Sequence, residues 1–587
     1  MSHVPSISTR MRGARAVTAG LFTLLVLRFF QFQVLQADVY QIRSNRNHIR
    51  QISLRAARGV IYDRKDRVLA DNKPSYALFV VPHLFQENPL DQEIVASAIR
   101  MPVDSIRRKI RESGTGPFMP VRLLRDIDFS LLSRIQESRI DLPGLVIEHE
   151  PVRRYPAGNT ATHVLGFTGE IGPQELTARR SDGYRRGDVI GKSGVEKVYE
   201  SELRGQKGFR YVEVDVRGRE VGDLDGDLDK PPRVGRSLRL TLDLDLQQAL
   251  EASFPDARGA AVALDPNTGE VLAMISRPAV DLMRFTSPTS SALWHQIITD
   301  TTHPLMNRAI QSQLPPGSTF KIVSALAALS DPAFHPEDTV ICEGGYVLGG
   351  KRFDCWRPEG HGPVDLTEAI RKSCNVYFYH TALNIDWNKW FDQAGLLGFG
   401  RRTGIDLYGE TPGLLPGSDD LAAETHHRNP SKGAKLNWVI GQGDLLVTPI
   451  QMAVLGAVIA SGGRLVRPHV VQAVQDENGV WRFPSINAAS LNIPEKRIAL
   501  IKGGMRLAAL PGGTAVRAAV PGQSVCGKTG TAQNPHGRPH AWFLGFAPAE
   551  HPEIVVVVVL EEQGSGGAAA APVAREVFSQ YLTETGG

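Results

Sequence analysis

The sequence predicts an α+β, multidomain chain. It starts with one membrane-spanning helix, continues as a polar stretch of short strands, loops and helices, and ends in a long region where helices and antiparallel strands share a core. Three observations predict this. Residues 16–35 read AVTAGLFTLLVLRFFQFQVL, mostly apolar and about as long as a spanning helix requires. Residues 180–236 are rich in Gly, Arg and Asp, the composition of turns and hairpins. From residue 238 onward, strand-like and helix-like patterns follow one another. At 587 residues the chain has room for roughly three or four average domains. An apolar fraction of 42% with 22% charged residues is ordinary for globular proteins, so a large core is available. The net charge of +4 is small for this length, and no zinc-finger, homeodomain or RNA-recognition pattern is present. A dedicated nucleic-acid binder, with its basic face, is thereby excluded.

Arg10, Arg12 and Arg15 precede the apolar run. The positive-inside rule therefore predicts a cytoplasmic tail over 1–15, an anchor over 16–36 and an exported remainder. Arg28 lies near the outer end of the span, where its long side chain can snorkel to the headgroups. The alternative reading is a cleaved signal peptide, because Leu35-Gln36-Ala37 loosely resembles a small-residue cleavage site. The apolar run is longer than a usual signal core, and either reading exports the bulk of the chain.

After the anchor, residues 43–72 read as strands and loops, and SAIRMPVDSIRRKIRES and DFSLLSRIQES within 96–140 read as charged helices. A domain boundary is expected near 237, giving domains over 37–237 and 238–587. LRLTLDLDLQQALEASF (238–254) switches from alternation to a helical pattern. GAAVALDPNTGEVLAMIS (259–276) reads as strand, turn and strand. STFKIVSALAALS (318–330) is an apolar helix, DLTEAIRKSCNVYFYHTAL contains another capped at Asp365 or Thr367, and PIQMAVLGAVIASGG (449–463) is a third. EIVVVVVLEE (553–562) is a buried strand.

The sharpest local pattern is Pro315-Pro316-Gly317-Ser318-Thr319-Phe320-Lys321. A helix starting at Ser318 puts Lys321 one turn away on the same face. Serine becomes a useful nucleophile only when a base takes its proton. Lysine can be that base if burial or a neighbouring cation brings its pKa down from about 10.4. Ser-x-x-Lys alone arises by chance in many long chains. Here Ser373-Cys374-Asn375 follows at a helix end, with Ser373 and Asn375 expected on one side of an extended turn. Lys528-Thr529-Gly530-Thr531 then begins near a strand, where Gly530 lets another backbone approach closely. A Ser-x-x-Lys, Ser-x-Asn and Lys-Thr-Gly set in this order belongs to penicillin-binding proteins and class A β-lactamases.

On these motifs the chain resembles the class B penicillin-binding proteins, in particular the elongation-type penicillin-binding protein 2 group. The resemblance extends through RGVIYDRKDRVLADN (58–72), RRYPAGNTATHVLGFTGEIG (153–172), GKSGVEKVYESELRG (191–205), NRAIQSQLPPGSTFK (307–321), GQGDLLVTPIQMA (441–453), CGKTGTAQ (526–533) and HAWFLGFAP (540–548). It implies a single anchor, an elongated, mainly β pedestal domain and a β-lactamase-like α/β transpeptidase domain with an antiparallel sheet flanked by helices. It also implies roles. Ser318 attacks the carbonyl between the terminal D-alanines of a peptidoglycan stem peptide and Lys321 takes its proton. Ser373 relays a proton to the departing D-alanine, and Asn375 positions the substrate amide and Lys321. Lys528, Thr529 and Thr531 bind the terminal carboxylate beside Gly530, and the N–H groups of Ser318 and Thr531 form the oxyanion hole. The Ser-Cys-Asn wording departs from Ser-Asp-Asn at its middle position, which leaves a role for Cys374 to be found.

Cys342, Cys355, His361 and Cys374 follow one another with gaps of 12, 5 and 12 residues. Three thiolates and an imidazole are a standard tetrahedral zinc set, and four protein ligands make such a site structural. A disulfide is the alternative in an exported domain, and free cysteines are another. The resemblance favours zinc, because penicillin-binding protein 2 members carry a zinc site in this segment. Cys526, on the strand before Lys528, reads as packing.

The resemblance implies cross-linking of stem peptides during cell elongation, with β-lactams as inhibitors trapped on Ser318. It implies partners: a SEDS-family (RodA-like) glycosyltransferase, since no glycosyltransferase domain fits before residue 237, and membrane proteins of the elongation complex. A division-type transpeptidase, a carboxypeptidase or β-lactamase-like hydrolase, and a β-lactam-binding scaffold or sensor are the rival readings.

Overall fold

The structure is a computed structural model of the full chain; it describes residues 7–36, 49–86, 89–114, 116–137, 144–214, 220–223, 229–286, 291–417, 430–485 and 488–585. The end of the alternative cleavage site at Ala37, the beginning of the polar stretch at 43–48, and parts of the Gly-, Arg- and Asp-rich region at 215–219 and 224–228 lie outside the described residues. The chain forms two compact units: Met1–Ala56, Ser75–Glu150 and Gln206–Val234 make one, and Ala57–Pro74, Pro151–Gly205 and Gly235–Gly587 make the other.

In the first unit, helix Ile7–Phe30 runs into a π-helical turn, Gln31–Leu35. Ala14–Leu35 is long and apolar enough to cross a membrane, and its 22 residues cover about 33 Å at 1.5 Å per residue. Strand Tyr76–Val80 pairs on either side with Val121–Leu124 and Leu145–His149. Helices Pro89–Ile99, Val103–Ser113 and Phe129–Glu137 belong to the same unit. Ile106 and Ile110, four residues apart on one helical face, join Leu78, Val80, Val95 and Leu123 in its core. The charged helices expected within 96–140 are present, separated by the strand after Pro120. A second sheet pairs Ile49–Leu54 with Gly208–Val214, and the latter with Glu220–Asp223.

The second unit is built on a five-stranded antiparallel sheet in the order Val271–Arg277, Gly259–Leu264, Ile554–Leu560, His540–Ala547, Cys526–Ala532. Val555, Val557 and Val559 point into one core cluster, and Val556, Val558 and Leu560 into another. Both faces are therefore covered, which is why this strand reads as an unbroken apolar run rather than an alternating one. Helix Pro449–Ala460, buried along its whole length, supplies residues to the first cluster. The C-terminal helix Gly566–Thr585 and helix Leu244–Ser253 supply the second.

A second, six-stranded sheet in this unit joins distant segments: Trp481–Arg482, Val471–Gln475, Leu238–Leu240, Ile61–Tyr62, Val68–Lys73 and Val152–Arg154. Only Leu238–Leu240 and Ile61–Tyr62 pair in parallel. The region over 180–236, expected to be a hairpin or linker, holds the antiparallel pair Gly208–Val214 with Glu220–Asp223, and it also contains helices Gly194–Val198 and Glu200–Leu203. Buried charge holds them. Glu196, fully buried, receives the Arg58 guanidinium at 2.6 Å and Arg153 Nε at 2.6 Å. Arg58 also reaches Glu200 at 2.8 Å, and Glu200 accepts from Tyr184 Oη at 2.7 Å. Burial works to raise the Glu196 pKa, but the two guanidiniums outweigh it and hold the carboxylate below its usual range. Removing one partner of such a pair strands buried charge. Glu196→Ala is expected to lower the unfolding free energy of the full chain by about 3–5 kcal/mol, measured by denaturant unfolding in detergent; a cost under about 1 kcal/mol would show that the cluster is not a tie.

Candidate active site

The nucleophile candidate sits on a turn held by backbone bonds. Gly317–Phe320 is a 3₁₀ turn that passes into helix Lys321–Ser330, where a plain helix from Ser318 was expected. In a 3₁₀ turn side chains three apart eclipse, which keeps Ser318 and Lys321 on one side. Gly317 takes φ +55° and donates its N–H to Gly441 O at 2.8 Å. Thr319 Oγ1 donates to Pro316 O at 2.7 Å. Behind the turn, Phe320 packs against Trp390 and Phe399 with ring centroids 5.7 and 4.9 Å away. Ser318 itself is half-buried at the mouth.

Lys321 is fully buried. Its Nζ donates to Ser373 O at 2.9 Å and to Asn375 Oδ1 at 2.7 Å. Burial brings its pKa down to about 8, against an opposing pull from the nearby cysteines. An amine in that range is neutral often enough near neutral pH to accept a proton.

Ser373 lies between two helices, Leu366–Arg371 and Asn375–Asn384. Asp365 caps the first by accepting from Glu368 N at 2.8 Å. The first helix closes with Cys374 N donating to Ala369 O at 3.0 Å, while Ser373 adopts φ +53°. This is the left-handed C-terminal cap that usually carries glycine. The expected extended turn is thus a left-handed break. It gives the two oxygens of Ser373 different partners: the carbonyl faces Lys321, and Oγ accepts from Lys528 Nζ at 2.7 Å.

Lys528 comes from the edge strand of the five-stranded sheet, and its Nζ also donates to Thr529 O at 2.8 Å. It is fully buried, and burial together with the Lys321 charge pushes its pKa well below the usual lysine value. A Cβ at Gly530 would lie 2.8 Å from Pro316 O and 3.1 Å from Thr319 Cγ2, so the strand can pass the nucleophile turn only as glycine. Thr529 is buried and Thr531 exposed at the strand edge. Ser318, Lys321, Ser373, Asn375 and Lys528–Thr531 therefore converge.

The four candidate metal ligands also meet. One donor atom from each of Cys342, Cys355, His361 and Cys374 lies within 4.8 Å of the others. His361 Nδ1 is 3.6 Å from Cys342 Sγ and 3.5 Å from Cys355 Sγ. Zinc–ligand bonds of about 2.0–2.3 Å in a tetrahedron imply ligand separations of roughly 3.5–3.8 Å, which these distances fit. None of the four cysteines of the chain is in a disulfide. The Cys374 thiol, hydrogen-bonded to Cys355, lowers the Cys355 pKa and has its own raised. Cys526 lies apart, buried, with its thiol pushed up to about 12 by that burial.

Sequence reasoning missed the links between the two clusters. Asn375 Nδ2 donates to Asp354 O at 3.2 Å, and Asn375 N to Cys355 Sγ at 3.4 Å. Trp356 Nε1 donates to Lys372 O at 2.9 Å while its ring packs 5.3 Å from that of His361. Asp354 acts through its backbone, which leaves no side-chain signal. Gln442, which bonds Thr531 O and Gln533 N, was also missed; glycines on both sides of it are the signal that could have found it. The tight passage at residue 530 is directly testable: Gly530→Ala is expected to destabilise the chain by about 1–3 kcal/mol, read from denaturant unfolding, and an unchanged midpoint would mean that the turn and strand separate freely.

Known proteins match this chain over nearly its whole length. The penicillin binding protein transpeptidase domain matches residues 259–579, and the penicillin-binding protein dimerisation domain matches 53–240. The peptidoglycan D,D-transpeptidase MrdA of Haemophilus influenzae is 32% identical over 97% of this chain and 90% of its own length. Penicillin-binding protein 2 of Helicobacter pylori, solved in complex with MreC, superposes with a TM-score of 0.80 at 27% identity, covering 92% of this chain and 99% of that one. A chain in a solved peptidoglycan synthase complex that coordinates polymerization and crosslinking superposes with a TM-score of 0.72 at 30% identity, covering 98% of each. A buried Ser-x-x-Lys, Ser-x-Asn and Lys-Thr-Gly cleft, a transpeptidase match over more than half of the residues and a relative that spans nearly all of them lead to one conclusion: the chain belongs to the penicillin-binding protein family, with a dimerisation domain ahead of its transpeptidase domain.

Proposed function

We propose that the chain is a serine peptidoglycan D,D-transpeptidase that cross-links stem peptides during cell elongation. The observation that carries this is the convergence of two fully buried lysines on Ser373, next to the Ser318 turn. Ser318 Oγ attacks the carbonyl between the terminal D-alanines, and neutral Lys321 takes its proton. The developing oxyanion takes N–H groups of Ser318 and Thr531, whose backbones adjoin where Gly317 packs on Thr531. Ser373, bonded to Lys528, passes a proton to the departing D-alanine nitrogen. Asn375 orients both Lys321 and the substrate amide. Lys528, Thr529 and Thr531 receive the terminal carboxylate at the edge strand. An amine from a second stem peptide then takes the acyl group from the Ser318 ester.

The elongation role is supported by the MrdA relative and by the solved complex with MreC. The polymerizing and cross-linking complex supports pairing with a SEDS-family (RodA-like) glycosyltransferase. The apolar helix Ala14–Leu35 fits a single-pass anchor, and Arg10, Arg12 and Arg15 favour a cytoplasmic N-terminus with the catalytic unit on the opposite side. A structural zinc on Cys342, Cys355, His361 and Cys374 would tie the loop after the nucleophile helix to the Ser373 turn, taking no part in the chemistry.

A labelled penicillin is expected to form a long-lived adduct on wild-type chain and none on Ser318→Ala. Its acylation rate is expected to rise with pH as Lys321 loses its proton, falling about tenfold per pH unit well below pH 8. Rapid turnover of the adduct would support a hydrolase instead, and a flat pH profile would remove Lys321 as base. For the metal, elemental analysis of the purified chain should give about one zinc per chain, lost in Cys355→Ser and in His361→Ala; a metal-free chain with intact fold would rule the zinc out.

A further inference from the structure

Gln442 occupies the turn after helix Lys432–Trp438, between Gly441 and Gly443, which take φ +73° and +82°. Its backbone N–H donates to Asn437 O at 2.9 Å, so the turn is tied down independently of the side chain. The turn packs against the nucleophile segment: Gly317 N donates to Gly441 O at 2.8 Å, and a Cβ at Gly441 would lie 2.2 Å from Gly317 O.

The Gln442 side-chain amide reaches the edge strand. Nε2 donates to Thr531 O at 3.3 Å, and Oε1 accepts from Gln533 N at 3.3 Å. One primary amide thus gives the strand an N–H and a C=O, as a residue of an added strand does. Cys526–Ala532 pairs with His540–Ala547 on its other side, so the groups that Gln442 takes are those on the open edge. They also adjoin the nucleophile turn, because a Cβ at Gly317 would lie 3.0 Å from Thr531 O. A donor peptide that brings its carbonyl to Ser318 has this open edge, and Thr531 O with it, within reach of its own backbone amide. Both Gln442 bonds are long and reached by solvent, which makes them exchangeable.

We propose that Gln442 is a specificity gate for the donor: its amide stands in for a peptide unit on Thr531 and Gln533 and yields when a donor carrying a matching amide arrives. This rests on the transpeptidase reading of the same cleft. A ligand with the amide replaces the bonds that it breaks. A ligand without it neither needs Thr531 O nor displaces Gln442.

The test is the second-order rate of Ser318 acylation in the full chain in detergent, with two probes. Benzylpenicillin carries an acylamino group beside its lactam carbonyl; penicillanic acid has the same bicyclic acid without it. Gln442→Ala removes the competing amide, and Gln442→Glu keeps an acceptor but loses the donor to Thr531 O. Two weak exposed hydrogen bonds are worth about three- to tenfold in a competing equilibrium. Gln442→Ala is therefore expected to react about three- to tenfold faster with benzylpenicillin, Gln442→Glu, which keeps one of the two bonds, faster by a smaller factor, and both at the wild-type rate with penicillanic acid. An unchanged or slower reaction with benzylpenicillin, or equal acceleration with both probes, would overturn the gate and leave the transpeptidase reading standing. Failure of wild-type Ser318 to react with either probe would overturn both.

Discussion

Two fully buried lysines meet at one serine, and the rest of the cleft follows from that constraint. Neither cation can be buried cheaply, and each raises the cost of the other. Burial lowers both pKa values, and the Lys321 charge lowers that of Lys528 further. The remaining polarity must be met by oxygens placed within reach. Ser373 provides two of them, and Asn375 Oδ1 and Thr529 O provide the others. One serine can face two lysines with its carbonyl and its hydroxyl only if the backbone turns sharply. The left-handed conformation at Ser373 does this. A strained serine at a helix cap persists where its surroundings over-determine it, and both of its oxygens are held here.

The thiol and imidazole cluster becomes intelligible beside that turn. Cys374 follows Ser373 directly, and Cys355 accepts the N–H of Asn375. Asp354 O takes the Asn375 amide nitrogen, which leaves the amide oxygen pointing at Lys321. The segment that carries the cysteines therefore sets the orientation of a side chain in the lysine pair. The middle cysteine of Ser-Cys-Asn, idle in the cleft chemistry, serves this second cluster.

The edge position of Cys526–Ala532 is the other condition. A strand inside the sheet would have both sides paired and nothing to offer a peptide. As the last strand it keeps one side open, a hazard that proteins usually cover. Here the cover is local: Gln442 lies across Thr531 and Gln533, and Pro316 closes on Gly530. The same openness that would invite unwanted pairing makes room for a substrate backbone.

Much of this was legible in the chain itself. The apolar N-terminal run, the strand EIVVVVVLEE, the apolar helix PIQMAVLGAVIASGG and the three-motif set name their own structures, because burial and local hydrogen bonding act over short stretches. The three cysteines and the histidine that gather at one point were legible as a chemical set. Tertiary structure decided what depends on groups far apart in sequence. It turned the expected extended turn at Ser373 into a left-handed break, since Lys321 and Lys528 pull from 52 and 155 residues away. It drew helices out of the Gly- and Arg-rich region by closing Arg58 and Arg153 on Glu196. It also set Asp354 and Gln442 against the site. Backbone carbonyls and lone amides carry no pattern of their own, and only the packing of distant segments gives them partners.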